Sequence, residues 1–395
     1  MSPRPIPRRL TAFGASLLIG TALCASLSTP VSATAASGDL QPAARGAAAC
    51  TPAAMRGKTY IHPDGSAAQA GDPSAATVYH LDFGPGSDVT QIVPPRDFRP
   101  VDATDDLLTR YNLTTRPKAP LARAHWQKTM ENFKGMATPG LCATTRRNLL
   151  SQGTDTNKIW SGPLVTDPSA AVTEVIGTWH QTGFDASCPS ASAYSTWPGI
   201  GGYGTGDLLQ SGTDVDQSNL NATYAWWEAL SHTGAFVYET KFSGFTINPG
   251  QVVSTSTQYV PGGYGKAIFN AYNGTTGYSA PGVSFTSLQG QPAVYYYDGS
   301  HAEFINERPT QSNGLPFQLR KPHYNNTAWT DNSITYGATH KNGTVAGAAY
   351  SGTVLLSDTN LNMTRTGKAS DPVLDDMRYG VASNNTWTNY WDFCN

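Results

Sequence analysis

The stretch QVVSTSTQYV-PGGYG-KAIFNAY, residues 251–272, decides the fold class. Its outer parts, 251–260 and 266–272, are rich in residues that suit strands, and five residues dominated by glycine separate them. A further turn signal, Asn273-Gly274, follows directly. The pattern predicts two strands joined by a short turn.

The same pattern recurs along the chain after residue 150. About a dozen short β-rich segments at roughly 8–12-residue spacing, with no helical pattern between them, predict an all-β domain, an antiparallel β-sandwich or jelly roll. The candidate strands are 171–181, 193–198, 206–212, 222–230, 235–242, 251–260, 266–272, 293–297, 301–307, 333–339 and 352–359.

The chain before residue 150 has a different texture. Residues 36–104 are rich in alanine, glycine and proline and have little periodic pattern. Two later segments, 105–111 and 121–133, have apolar residues at helical spacing and predict helices. The sequence therefore predicts a partly helical N-terminal segment, 36–150, in front of a β domain, 151–395.

The first 35 residues have the features of a secretory signal peptide. Arginines at positions 4, 8 and 9 precede an uncharged run of apolar and small residues, and Ala33-Thr34-Ala35 supplies a cleavage site. A membrane-spanning helix is the competing interpretation, but the run is short and small residues end it. We therefore expect residues 1–35 to be removed and the protein to be secreted, without a membrane anchor.

Composition excludes several classes of protein. Only 14% of the residues are charged, and glycine and proline number 39 and 27, which does not suit a coiled coil. A formal net charge of −2 gives no basic surface for nucleic acid. Hydrophobic residues make up 39% of the chain, enough to bury a core.

Four cysteines remain after the signal peptide: Cys50, Cys142, Cys188 and Cys394. An even number in an exported chain suggests disulfides, and four cysteines allow three pairings. We take Cys50–Cys142 and Cys188–Cys394 as the working hypothesis. No two cysteines have zinc-site spacing, and no His-Glu-x-x-His sequence occurs, so we expect neither a metal nor a cofactor.

Three stretches carry the most specific signal, and they occur in a fixed order. The first runs TWPGIGG (196–202) and continues as DLLQSG (207–212). The second is YAWWE (224–228), and the third is AEFINERP (302–309). Together they resemble the glutamic peptidase (eqolisin) family of secreted acid endopeptidases. The resemblance covers roughly residues 160–395 and implies a concanavalin A-like jelly roll that acts on polypeptides.

The resemblance assigns catalysis to Gln210 and Glu307. As a carboxylate, Glu307 would take a proton from water during attack on the scissile carbonyl, and the amide of Gln210 would stabilise the oxyanion. Because an ordinary glutamate has a pKa of about 4.3, the resemblance implies an acid optimum. Trp197, Trp226 and Glu228 are the accompanying candidates for substrate contact or support of the dyad.

Two further acids, Glu303 and Asp207, are expected near the dyad. Strand alternation places Glu303 on the same face as Glu307, and we expect it to be an exposed or supporting acid. Fungal members commonly have aspartate where this chain has Gly201, and Asp207 is a candidate to compensate.

The N-terminal segment acquires a role from the resemblance, since a propeptide precedes the catalytic domain in the family. Residues 36–150 hold 13 bases and 10 acids, whereas residues 151–395 hold 10 bases and 18 acids. The hypothesis is an inhibitory prosegment held by complementary charge, cut between Arg146-Arg147 and Trp160, in front of a monomeric enzyme.

Two other functions stay open at this point. A jelly-roll glycoside hydrolase would use two carboxylates, for which Glu228 and Glu307 are the available pair. A non-catalytic lectin-like module is the third option, favoured only by the aromatic content.

Overall fold

The structure is a computed structural model. It describes residues 51–83, 89–117, 120–143, 156–165, 171–183, 192–204, 207–215, 223–230, 237–260, 266–285, 299, 301–309, 318–319, 326–337, 350–352, 359–364, 370, 373–379 and 387–391. No helix within these ranges is long and apolar enough to cross a membrane.

Strands dominate the described residues. They are β1 (Thr51–Pro52), β2 (Met55–Ile61), β3 (Ala76–Leu81), β4 (Val89–Val93), β5 (Gly135–Met136), β6 (Leu141–Ala143), β7 (Thr156–Asn157), β8 (Trp160–Val165), β9 (Ala171–His180), β10 (Ser192–Gly201), β11 (Leu208–Val215), β12 (Thr223–Leu230), β13 (Val237–Phe242), β14 (Val252–Val260), β15 (Lys266–Asn273), β16 (Tyr278–Ser279), β17 (Gly282–Phe285), β18 (Ala302–Glu307), β19 (Gln318–Leu319), β20 (Asn326–Gly337), β21 (Tyr350–Gly352), β22 (Thr359–Thr364), β23 (Val373–Tyr379) and β24 (Trp387–Trp391).

The helices lie in the N-terminal part. A 3-10 turn (Pro100–Asp102) precedes α1 (Asp105–Arg110) and α2 (Pro120–Glu131). Helix α1 begins where Thr104 accepts a hydrogen bond from the backbone N–H of Leu107 (3.2 Å), which satisfies a donor that the first turn leaves open. Both predicted helices, 105–111 and 121–133, are confirmed to within two residues at each end.

Two sheets form the sandwich. The front sheet has the order β22–β8–β18–β10–β11–β12–β13–β6–β1, antiparallel throughout. The back sheet has the order β23–β24–β20–β9–β14–β15–β17–β4–β3–β2, also antiparallel. The predicted all-β sandwich is confirmed.

Large aromatic side chains fill the space between the sheets. The ring of Trp227, from the front sheet, stacks on Phe269 of the back sheet with centroids 4.9 Å apart, and Phe285 lies 5.8 Å from it. Since each fully buried side chain of this size contributes about 1.5–3 kcal/mol, this stack is a major source of stability.

The strand predictions succeed where a strand follows its hairpin partner in sequence. The segments 251–260 and 266–272 coincide with β14 and β15 to within one residue. Strand β20 begins seven residues earlier than predicted, whereas residue 206 of the predicted strand 206–212 and residues 235–236 of the predicted strand 235–242 lie outside the described residues. The predicted strand 293–297 lies outside the described residues, as do 353–358 of the predicted strand 352–359.

The N-terminal segment contributes strands to both sheets, which its weak sequence pattern did not predict. We call residues 51–143 the N-terminal unit and residues 156–391 the sandwich. Strand β6 pairs with β13 at one edge of the front sheet, and β4 pairs with β17 in the back sheet. Whether residues 36–150 are removed as a prosegment stays a prediction.

The cysteine pairing also stays a prediction. Cys142 is disulfide-bonded and lies in β6, directly opposite Pro52. Cys50, Cys188 and Cys394 lie outside the described residues.

Candidate active site

The outer face of the front sheet gathers the candidate residues, because side chains alternate along each strand. On β11, Leu209 packs into the core between the sheets, and Leu208 and Gln210 face outward. Apolar side chains form a second buried layer on this outer face. Its members are Ile159, Trp160, Leu164, Trp197, Leu208, Tyr224, Trp226, Leu230, Ile305 and Leu361.

Gln210 and Glu228 form a direct cross-strand pair between β11 and β12. The Nε2 of Gln210 donates to Glu228 Oε2 at 2.6 Å, and both side chains are fully buried. Among the described residues, the Oε1 of Gln210 has no hydrogen-bond partner. Glu228 therefore fixes the orientation of the amide and leaves its oxygen available.

Glu307 is held by an indole. The Nε1 of Trp197 donates to Glu307 Oε2 at 2.6 Å, and Trp160 packs edge-on against Trp197 with centroids 5.0 Å apart. The carboxyl is fully buried, and its Oε1 has no partner within the described residues. One oxygen is thus fixed and the other is available, as in Gln210.

The pKa of Glu307 is raised well above its usual value. Burial is the largest cause, and the nearby charges of Glu228 and Asp214 raise it further. The hydrogen bond from the Trp197 indole and, to a smaller extent, the nearby indole of Trp160 act in the opposite direction. The group is therefore suited to both taking and returning a proton.

Two glycines, Gly199 and Gly212, leave the space that the side chains of Trp197 and Trp226 occupy on the sheet. A Cβ at Gly199 would lie 2.9 Å from Cζ3 of Trp197, and a Cβ at Gly212 would lie 2.5 Å from Trp197 Cβ and 3.0 Å from Cζ2 of Trp226. Any larger residue at these positions would displace the indole that holds Glu307.

A family model describes this part of the chain. The model of the Peptidase A4 family matches residues 158–371, more than half of the full length. The chain belongs to the Peptidase A4 family. The match contains all three sequence stretches, and the resemblance that they indicated is confirmed.

A search of solved structures finds peptidases among the matches. They include scytalido-glutamic peptidase with a transition state analog inhibitor (19% identity, TM-score 0.40) and the same peptidase with a peptide-based analog (18% identity, TM-score 0.40). A third is SCP-B, an eqolisin, in complex with the tripeptide Ala-Ile-His (18% identity, TM-score 0.39). Each alignment covers 60% of this chain and 98% of the other. No curated protein matches the chain.

Within this peptidase fold, strand register places Glu303 closer to Gln210 than sequence reasoning indicated. Gly199 lies between them, paired with Glu303 on one side and Gln210 on the other. Glu307 lies four residues further along β18, level with Ser195. Glu303 is fully buried, so of the two expected roles, exposed acid or supporting acid, the structure excludes the exposed one.

Glu303 binds the loop that precedes β11. Its Oε1 accepts a hydrogen bond from the backbone N–H of Tyr203 at 2.8 Å, and burial raises its pKa well above the usual value. Its Oε2 has no partner within the described residues. Glu303 therefore acts as a support for the loop between β10 and β11.

Gly201, the departure from the fungal pattern, has a structural reason. Its φ is 78°, in the left-handed region, and its N–H donates to the backbone oxygen of His301 at 2.9 Å. An aspartate would adopt this conformation at a cost. Asp207 is half-buried directly before β11, and its role as a compensating acid stays a prediction.

Sequence reasoning missed a second polar group beside the dyad. Trp226 donates through Nε1 to Asp214 Oδ1 (2.9 Å), and the hydroxyl of Tyr224 lies 3.0 Å from Asp214 Oδ2 and 3.1 Å from Glu239 Oε1. The hydroxyl has one proton, so it bonds both carboxyls fully only when one of them is protonated. Asp214 lies four residues after Gln210 in β11, so strand alternation places the two side chains on the same face, and this spacing could have identified Asp214 from the sequence.

The described residues contain no cluster of three or more histidine, cysteine, aspartate and glutamate side chains that could hold a metal ion.

Proposed function

We propose that the protein is a secreted acid endopeptidase that hydrolyses polypeptides with Gln210 and Glu307. One observation carries the proposal: each of the two side chains is fixed by a single buried hydrogen bond, and each leaves one oxygen without a partner in the described residues. Two fixed groups with free acceptor oxygens suit the binding of one water, and the second N–H of Gln210 can donate to a carbonyl oxygen.

The proposed chemistry needs no covalent intermediate. Ionised Glu307 takes a proton from a water whose other hydrogen bonds to Gln210 Oε1. The water oxygen attacks the scissile carbonyl, and the second N–H of Gln210 donates to the oxyanion. The proton on Glu307 then passes to the amine nitrogen as the C–N bond breaks, which restores the carboxylate.

Glu228 and the two tryptophans have supporting roles in this mechanism. Glu228 holds the amide of Gln210 so that its oxygen and remaining N–H point away from β12. Trp197 holds Glu307, and Trp226 lies against Gly212 on the same face. The engagement of Glu228 by Gln210 gives the glycoside hydrolase hypothesis no support, and nothing in the site favours a lectin-like module.

The acid optimum is carried over from the family resemblance. Glu307 must ionise to act as a base, and its burial and the nearby charges of Glu228 and Asp214 oppose that ionisation in the full-length chain. Because burial is the largest cause of the raised pKa, the site has to open to solvent and substrate before Glu307 can ionise near the pKa of an ordinary glutamate, about 4.3.

The N-terminal segment is proposed to keep the secreted protein latent until it is cut between Arg146-Arg147 and Trp160. Full burial of Gln210 and Glu307 in the full-length chain supports a latent form. N-terminal sequencing of active protein tests the cut. An active, secreted protein with Ala36 as its single N-terminus would contradict it.

The decisive assay is peptide release from denatured casein at about pH 3–4, close to the glutamate pKa. We expect activity that resists inhibitors of the two-aspartate peptidases. Gln210→Ala should lower kcat/KM by roughly 10²–10³-fold, the effect of losing one oxyanion donor. Gln127→Ala, on the exposed side of α2, is the matched control. Full activity of Gln210→Ala would contradict the dyad.

A further inference from the structure

The N-terminal unit completes both sheets of the sandwich. At the front-sheet edge, β6 pairs with β13 through Phe242↔Leu141, Lys241↔Cys142 and Thr240↔Ala143. In the back sheet, β4 pairs with β17 over four positions, from Gly282↔Ile92 to Phe285↔Val89. Without the unit, β13 and β17 would present open backbone donors and acceptors to solvent.

The two parts also share one hydrophobic core. Leu81, Val89 and Leu141 from the N-terminal unit belong to the same buried cluster as Trp227 and Phe285. The ring of Phe83 lies 5.9 Å from that of Trp227. Departure of the unit would uncover these aromatic rings, at a cost of roughly 25 cal/mol per Å² of apolar surface.

Buried polar groups join the two parts at the same place. Gln91 donates through Nε2 to the backbone oxygen of Pro281 (3.2 Å) and accepts from the N–H of Gly140 (2.8 Å). Asn112 donates to the backbone oxygen of Gly282 (3.3 Å). A Cβ at Gly282 would lie within 1.7 Å of Asn112 O, so the two backbones are in direct contact.

One buried carboxylate of the sandwich depends on the unit. Glu174, in β9, accepts from both the N–H (3.2 Å) and the hydroxyl (2.6 Å) of Thr115. Removing Thr115 would take away two donors from a carboxyl group that is 2% exposed, and losing hydrogen bonds to a buried polar group is costly.

These contacts differ from a charge-based attachment. Strand pairing, apolar packing and hydrogen bonds between neutral groups do not weaken when carboxylates are protonated; among the contacts above, only the two that Glu174 accepts involve a carboxylate. The ion pairs Arg56–Asp82 and Arg116–Asp105 both lie inside the unit. We infer that residues 51–143 stay bound to the sandwich after the chain is cut, at acid as well as neutral pH, as a permanent part of the mature protein. This inference does not depend on the proposed peptidase activity.

The test uses the full-length chain with residues 146–151 replaced by the recognition sequence of a specific viral protease. After complete cleavage, size-exclusion chromatography is run at pH 7 and pH 3.5, with and without reductant. We expect the two pieces to co-elute under all four conditions, with a melting temperature close to that of the uncut chain.

Three outcomes would overturn the inference. The unit could elute separately while the sandwich stays folded and monomeric. It could dissociate at pH 3.5 alone, which would support attachment by charge. It could also separate only when reductant is present, which would show that a disulfide alone retains it.

A matched pair of variants assigns the retention to the interface. Leu141→Asp places a charge in the shared core, and we expect it to release the unit after cleavage. Met55→Asp changes a half-exposed residue of the same unit and should leave retention intact. Circular dichroism before cleavage checks that both variants fold. Equal retention in both variants would contradict the proposed interface.

Discussion

The two faces of the front sheet carry similar aromatic packing but very different charge. On the inner face, Trp227 stacks on Phe269 and Phe285. On the outer face, Trp197 and Trp226 pack just as tightly, but each donates to a buried carboxylate. The comparison indicates that the aromatic packing of the inner face stabilises the fold, whereas the outer face buries acidic groups at a cost in folding stability.

The largest expected effect tests whether Glu307, and not Glu303, performs catalysis on the outer face. Glu307→Gln should lower kcat/KM by about 10⁴-fold, the upper range for losing a general acid–base group. Glu303→Gln keeps an acceptor for the Tyr203 N–H and should cost less than about tenfold. Steady-state kinetics on a quenched peptide measures both. A larger loss of kcat/KM in Glu303→Gln than in Glu307→Gln would identify Glu303, which lies level with Gln210, as the general base.

The second test compares tryptophans on the two faces. Trp227→Ala should lower the free energy of unfolding by about 3–5 kcal/mol, because it empties the stack between the sheets. Trp197→Phe keeps most of the ring and loses the donor to Glu307, so kcat should fall with little change in stability. Urea unfolding and kinetics on both variants separate the effects. A larger loss of folding stability in Trp197→Phe than in Trp227→Ala would contradict the conclusion that the inner face contributes more to stability than the outer face.

The third test concerns pH. Burial raises the folded-state pKa of Glu303 and Glu307, whereas both have a pKa of about 4.3 when unfolded. The folded state therefore binds protons more tightly, and its stability is greatest below about pH 4 and falls as pH rises toward the folded pKa values.

Melting temperatures between pH 3 and pH 7 measure this dependence. The double variant Glu303→Gln/Glu307→Gln removes both titrations and should flatten the curve. Glu131→Gln, on the exposed side of α2, should leave the curve unchanged. A wild-type protein that becomes more stable with rising pH would contradict the description of the outer face.

The smallest expected effect is at Gly201. Gly201→Asp restores the fungal residue but forces a left-handed backbone conformation, at a cost of about 1 kcal/mol in folding stability. We expect no gain in kcat/KM. Chemical denaturation and kinetics check both statements, and a more active variant would show that the loop can accept the aspartate.

The sequence predicted the strands that have a clear local pattern. Strands β14 and β15 pair through a hairpin, and their turn residues mark the boundary. Strands β2, β3 and β4 also pair in chain order, but they were missed because residues 36–104 have little local pattern, and the pairing of β4 with β17 joins segments far apart in sequence. The same limit applies to the site. Motifs identified Gln210 and Glu307, but the hydrogen bond between Gln210 and Glu228 and the position of Glu303 along β18 relative to Gln210 depend on strand register, which the sequence does not show.

The pairing of β4 with β17 also has a kinetic consequence. Thr90 and Ser284, whose hydroxyls lie 3.0 Å apart, are 194 positions apart in the chain. Contacts of such length place a protein among slow folders, because a large loop must close before any stabilisation is gained. Refolding from denaturant should therefore be slow, and its yield should rise on dilution, as intermediates meet one another less often before β17 finds its partner.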